Sequence, residues 1–399
     1  MSSVFCVPPL LFVTFHEMYG ISFTLLGTLV LVNFVTQLGI DIIFSLFSSK
    51  FNIEKTVRAM PLITTAGLFT YAAVPFIFPD YAFAGLLVGT VIFSVAAGLS
   101  EALLSPTIAA MPSDNPQRDM SFLHSLYAFG VVTMVLFSTL FLRIFGNDKW
   151  SFLVGLLALL PIIPAALFMT SPMPDMNVSG DKRAVKRSGK RAIGILLCMA
   201  CIFFGSGAEN AMSNWISGYT EVALGVDKTV GDVLGTMMFA ALLGIARISY
   251  ARFGKNICRV LLVGMAGSVV CYLAAGLSSN VTIAFAACII MGFATSMLWP
   301  GTLIMMEEKI PDAGVTAFAL MAAGGDLGAS VSPQLLGIIV DKVSVSSFGV
   351  RLAENLGIAP EQAGLKVGMI VCTLFPIAGF ITVLFIIRFF KKNRLGENV

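Results

Sequence analysis

Long apolar runs recur down the whole chain, each ended by a short polar or glycine- and proline-containing stretch. A transmembrane helix needs ~20 mostly apolar residues to cross ~30 Å of hydrocarbon. Runs at 22–47, 59–78, 82–110, 121–145, 150–170, 192–219, 230–251, 258–278, 281–306, 315–341 and 365–390 meet that requirement. Each is predicted to be a helix, because no water satisfies a peptide group in lipid. Their length and continuity exclude a membrane β-barrel, whose strands are shorter and alternate in polarity.

A twelfth span is implied at the start, where Val4–Phe15 is apolar but too short to cross. Its counterpart further down, 192–219, is much longer. Gly20-Ile21 lines up with Gly225-Val226, so the residue equivalent to Ala192 falls before Met1. A stunted first helix is therefore expected, with Met1 near the middle of the membrane. The alternative, a cleaved signal peptide, lacks a basic segment before the apolar run.

The pattern also repeats. Residues 98–130 lie over residues 292–324 without a gap, placing Gly98 on Gly292, Leu104 on Leu298, Pro106 on Pro300, Leu126 on Leu320, Ala128 on Ala322 and Gly130 on Gly324. Related halves in an apolar chain are a common plan of secondary transporters, with the substrate site where the repeats meet. The expected organisation is an all-α polytopic membrane protein of two six-helix halves, residues 1–170 and 192–399, joined by a polar, basic linker at 171–191.

Composition sharpens this picture. The chain is 57% hydrophobic, has a mean hydropathy of +0.91 and carries 12% charged residues, against ~25% in an ordinary soluble domain. Most of the Lys and Arg fall on one side if the loop after the second span is put inside. Lys50, Lys55, Arg58, the run from Lys182 to Arg191, Arg252, Lys255, Arg259 and Arg388–Arg394 then share that face. By the positive-inside rule it is cytoplasmic, and so are both termini. The linker charges read as a solvated topology signal in preference to a nucleic-acid site. The seven cysteines lie in or at the edges of apolar runs, where redox and zinc chemistry is not expected, and no cofactor is called for. A monomer in the cell membrane is expected.

Ionisable residues inside a span cost ~2.5–3.5 kcal/mol or more, so each is a functional candidate. In the second helix Asn33, Gln37 and Asp41 follow one another at helical spacing on one stripe. The amides could bind solute or bond a neighbouring helix; Asp41, nearer the inside, suits gating or proton coupling. Glu101 in the fourth helix precedes Pro106, and its repeat partner is Thr295, so the charge is not needed to build the fold. Burial of such an acid suits a group that loads and releases a proton. His124 and Tyr127 in the fifth helix either line a cavity or pack. The seventh helix holds the densest cluster: Glu209, Ser213 and Ser217 on one stripe, with Asn210, Asn214 and Trp215 beside them. Amides and a carboxylate suit a hydroxyl-rich ligand and the indole can stack on a sugar, unless Trp215 is only an interfacial anchor. Trp299-Pro300, then Gly324-Gly325-Asp326-Leu327-Gly328 with Pro333-Gln334, interrupt the tenth and eleventh helices. Asp326 is a coupling or gating candidate, and Trp299 and Gln334 are binding candidates. Arg247, and Arg252 in the loop that follows, are gating candidates.

The layout resembles the major facilitator superfamily. Ala251-Arg252-Phe253-Gly254-Lys255 after the eighth helix is similar to its basic loop motif, and Ser49-Lys50-Phe51-Asn52 after the second lacks the motif's acid and glycine. Within the superfamily, Gly98-Leu99-Ser100-Glu101-Ala102-Leu103-Leu104-Ser105-Pro106 resembles the fourth-helix pattern of the fucose permease and related sugar–proton symporters. That resemblance implies a role for Glu101 in proton-coupled sugar transport. It also implies an aspartate late in the first helix, a place held here by Pro9. Either Asp41, Glu209 or Asp326 takes over, or this branch couples differently.

The leading expectation is thus a proton-coupled symporter of a sugar or similar small polar solute. An exporter of amphipathic compounds is the alternative, which the 33 Phe and 20 Met would suit. A channel or non-transporting receptor on the same fold is the alternative of another class. An intramembrane metalloprotease is excluded, since the only histidines, His16 and His124, cannot supply H-E-x-x-H. No G-x-x-x-x-G-K-[ST] occurs to bind ATP.

Overall fold

Each apolar run satisfies its own peptide groups by coiling, and every run is helical, although 150–170, 281–306 and 365–390 are each broken into two helices. The computed structural model describes residues 2–47, 51–109, 111–112, 116–173, 189–310 and 314–393. The basic linker expected at 171–191 lies largely outside them. The chain divides into two compact units, residues 1–181 and 182–399.

In the first unit the helices are α1 (Ser2–Leu10), α2 (Phe12–Tyr19), α3 (Phe23–Phe47), α4 (Ile53–Ile77), α5 (Ala82–Ala109), α6 (Pro116–Phe145), α7 (Trp150–Leu157) and α8 (Ile162–Thr170). The short apolar start is a pair of helices bent at Leu11, just after Pro8 and Pro9. It reaches four residues beyond Phe15, to Tyr19. The second unit has α9 (Gly189–Gly218), α10 (Lys228–Val230), α11 (Met238–Phe253), α12 (Ile257–Leu277), α13 (Val281–Thr295), α14 (Pro300–Lys309), α15 (Gly314–Val345), α16 (Ser347–Leu356), α17 (Pro360–Cys372) and α18 (Leu374–Asn393). Two π-helical stretches, Tyr219–Ala223 and Gly231–Met237, flank the turn between α9 and α11. Among the described residues nine helical segments are long and apolar enough to cross a membrane, and Gly130–Phe145 is a shorter apolar helix.

Several helix pairings recur in the two units. α1 packs on α6 as α9 packs on α15; α3 packs on α5 as α11 packs on α13; α4 packs on α7 and α8 as α12 packs on α17 and α18. Without a hydrophobic force between helices in lipid, close approach through small residues drives such contacts. The repeated glycine is one of these seats. A Cβ on Gly98 would stand 3.1 Å from the Cα of Gln37 in α3, and one on Gly292 would run into the carbonyl of Phe239 in α11. Gly328 likewise leaves no room between α15 and the Phe203 carbonyl of α9.

The repeated prolines behave differently. α5 runs through Pro106 to Ala109. At Pro300 the helix is interrupted: α13 ends at Thr295, a turn follows, and Pro300 opens α14. Proline at a helix start forfeits no hydrogen bond, because that N–H has no intrahelical acceptor.

Gly292→Val should destabilise the folded protein by ~1–3 kcal/mol through overpacking. Gly155→Ala, where a Cβ meets nothing within 4 Å, should be neutral or stabilising by up to ~1 kcal/mol. Melting of the two variants in detergent checks the contrast; equal effects would mean that Gly292 is not a packing seat.

Candidate functional site

In the first unit the polar stripe of α3 meets α5. Gly98 brings the two backbones together, so short side chains can bond across the gap. The Nε2 of Gln37 donates to Asn33 Oδ1 at 2.9 Å. Ser94 Oγ lies 2.6 Å from the same oxygen and 2.6 Å from the Thr90 carbonyl, sharing its one proton between them. Asn33, Gln37 and Ser94 are buried, so the amides expected to touch solute are tied at least partly into helix packing. One turn beyond Gln37, Asp41 is half-buried, and its Oδ1 is buried without a hydrogen-bond partner among the described residues. Glu101, one turn past Gly98 on α5, is exposed and lies close enough to Asp41 for their charges to interact. His124 and Tyr127 fall on α6, but their side chains lie outside the described ones.

In the second unit the break between α13 and α14 organises the site. Helix ends leave carbonyls without intrahelical partners, and a cation is favoured beside them. Arg247 of α11 supplies it: its Nε donates to the Ser296 carbonyl at 2.9 Å. Its Nη2 stands 3.7 Å from Glu209 Oε1 on α9. A gating candidate and a binding candidate thus form one ion pair across three helices. Glu209 Oε2 is buried with no hydrogen bond among the described residues. Trp299, at the end of the break, lays its indole against Gly325 of α15, where any Cβ would collide with the ring.

The rest of the seventh-span cluster disperses. Asn210 and Asn214 donate their amide N–H groups one turn back, to the Ser206 carbonyl at 3.1 Å and the Asn210 carbonyl at 2.9 Å. Trp215 is 1% exposed and donates to the Pro333 carbonyl at 3.1 Å, a packing position. Asp326 is buried between Gly325 and Gly328 on α15. Gln334 is half-buried, with an Oε1 that is buried and unpartnered among the described residues. Arg252 is exposed in the last turn of α11.

One charged cluster escaped the reading of the sequence. Ser217 Oγ donates to Asp232 Oδ1 at 2.5 Å. Lys228 Nζ lies 3.6 Å from Asp232 Oδ2 and 3.5 Å from Glu221 Oε2. Asp232 is 1% exposed. The four residues tie the two π-helical stretches together across their turn. The visible signal was an acid four residues after a lysine, inside the start of an apolar run. Among the described residues no group of His, Cys, Asp and Glu could hold a metal ion.

Helical spans that share several pairings in two units, each carrying intramembrane acids, define a polytopic membrane protein built from two related bundles. Residues 1–333 match the family described as the Major Facilitator Superfamily. The chain belongs to that superfamily and is a transporter of its fold. Solved structures agree on the fold. A bacterial homolog of the human lysosomal transporter Spinster, inward-facing and occupied, superposes with a TM-score of 0.74 at 15% identity, covering 98% of this chain and 94% of that one. A D-xylose–proton symporter gives 0.72 at 14% identity, covering 94% and 93%. The nucleoside transporter NupG, as a point mutant, gives 0.69 at 12% identity, covering 96% and 97%. No curated protein matches the sequence.

Lys228→Met should remove the ammonium 3.6 Å from buried Asp232 and cost ~3–5 kcal/mol. Adding Asp232→Asn to the same chain should restore part of that loss. Thermal melting of the wild type, both single variants and the double variant measures the coupling; strict additivity would show that the pair does not interact.

Proposed function

We propose that the protein is a proton-coupled symporter of a small polar solute, with sugars as the leading class, working by alternating access. The carrying observation is the acid pair of the first unit. Asp41 on α3 and Glu101 on α5 lie close enough for their charges to interact, and one Asp41 carboxylate oxygen is buried with no hydrogen bond among the described residues. A carboxylate deep in a span is expensive unless it is protonated, paired or wet. The Ser94–Asn33–Gln37 network one turn away fixes the stripe from which the pair projects.

The similarity of the fold to a D-xylose–proton symporter supports a sugar and a proton, and the nucleoside transporter supports a wider class of hydroxyl-rich solutes. The resemblance of the Glu101 segment to sugar–proton symporters points the same way. In this reading the protein sits in the cell membrane as a monomer, with both termini cytoplasmic. Glu101 carries the proton, and Asp41 and Asp326 tune or share it. The solute meets polar groups drawn from Asn33, Gln37, His124, Tyr127, Glu209, Asn210, Asn214, Trp215, Trp299 and Gln334. Arg247 and Arg252 serve gating.

In proteoliposomes Glu101→Gln should abolish uphill uptake of the transported solute while energy-independent counterflow stays within about threefold of wild type, because an uncharged isostere keeps the geometry but removes the titratable group. If Glu101→Gln still concentrates solute, the proton site lies elsewhere. If wild type shows no trans-stimulated exchange with any sugar or nucleoside, carrier function for these solutes fails and a channel or receptor reading takes its place.

A further inference from the structure

We infer that Arg247 is an anion-binding residue and that the transported solute carries a carboxylate or phosphate group. This deepens the reading above and rests on it.

The geometry around Arg247 is that of an incomplete site. A purely structural buried Arg–carboxylate pair closes as a fork, with two short N–H···O bonds and the remaining oxygens satisfied. Here a single Nη2 faces a single Glu209 oxygen at 3.7 Å, beyond the 2.7–2.9 Å of a charge-assisted hydrogen bond. The second Glu209 oxygen is buried without a partner among the described residues. The Nε bond to the Ser296 carbonyl fixes the guanidinium plane, which leaves the paired N–H groups of the fork free to point elsewhere. The side chain is 41% exposed. A guanidinium facing lipid in a span would be prohibitively costly; Arg247 reaches toward Glu209 of α9 and the Ser296 carbonyl at the α13 break. A planar fork held at its base and open at its tip is matched by carboxylate or phosphate.

Glu209 plays the place-holder. It stands opposite the guanidinium at 3.7 Å and balances its charge. An arriving anion offers the fork two oxygens at bonding distance and displaces the looser contact. Trp299, three residues after Ser296 on the same break, and Asn210, next to Glu209 on α9, stand on the segments that carry the pair and can hold the uncharged part of the solute.

The test compares matched solutes that differ only in charge. Wild type, Arg247→Gln and Glu209→Gln are placed in nanodiscs of phosphatidylcholine, and binding of glucose, glucuronate and glucose 6-phosphate is measured by calorimetry and thermal shift. Wild type should bind at least one of the two acids more tightly than glucose. Arg247→Gln should weaken that acid by about 10- to 100-fold, the effect of losing a charged hydrogen-bond partner, and leave glucose unchanged. Glu209→Gln, which removes the competing carboxylate, should tighten the acid severalfold. The acid arms separate a carboxylate from a phosphate ligand. The inference is overturned if neither acid is bound through Arg247, or if glucose binds as well as both acids. It is equally overturned if only added phosphatidylglycerol stabilises the protein in an Arg247-dependent way, since the anion would then be a lipid headgroup. Counterflow separates the two readings: sugar exchange without acid preference sinks this inference alone, and Arg247-dependent acid binding without exchange sinks the transport reading alone.

Discussion

The absence of water in the hydrocarbon core is the constraint on which the rest of the molecule depends. It forces every span into a helix, because only the helix satisfies each N–H and C=O within its own segment. It also removes the hydrophobic effect as a reason for helices to associate, so association falls to surface fit. Gly98, Gly292 and Gly328 show that fit: side-chain-free backbone meets the Gln37 Cα or the carbonyls of Phe239 and Phe203. The same constraint makes every polar side chain inside a span conspicuous, since it must bond to its own helix, bond to a neighbour, pair with a charge or face water. Asn210 takes the first course, Ser94 the second, Asp232 the third. Arg247 divides itself between the last two.

Much of the fold was legible because its code is coarse. Apolar run length marked the spans, and most helix limits fall within a few residues of the runs. The glycine that opens the 98–130 and 292–324 repeat proved to be a packing seat in both units. The prolines of that repeat were less faithful: one lies inside a continuous helix and the other opens a new one, a choice made by surrounding packing that spacing alone does not carry. The bend at Leu11 was equally unseen, although Pro8 and Pro9 stand just before it.

The site was legible by residue type and poorly legible by partner. Hydropathy singled out Glu209 and Arg247 separately and assigned them different duties, because nothing in a linear sequence says that residues 38 positions apart share one ion pair. It could not tell that the Asn210 and Asn214 amides turn back on their own helix, or that Trp215 is sealed under Pro333. Lys228 and Asp232 drew no attention in the sequence, since both sit where an apolar run begins and charges are ordinary. Their burial depends on the π-helical stretches, whose wider turns have no simple sequence signature.

The duplicated scaffold provides an internal control for charge. At one repeat position the second unit holds Thr295, fully buried, its hydroxyl returned to the Met291 carbonyl at 3.0 Å. At the same position the first unit holds Glu101, exposed and close enough to Asp41 for their charges to interact. Both positions stand one turn after a packed glycine, but α5 runs on past Glu101 whereas α13 ends at Thr295. What differs is electrostatic character. Among the described side chains, α3 and α5 of the first unit bring two acids within reach of each other, whereas in the second unit Glu209 stands beside Arg247 and Asp232 beside Lys228. Two related bundles thus carry different charge patterns, one with neighbouring acids and the other with acids beside cations, through a handful of side chains.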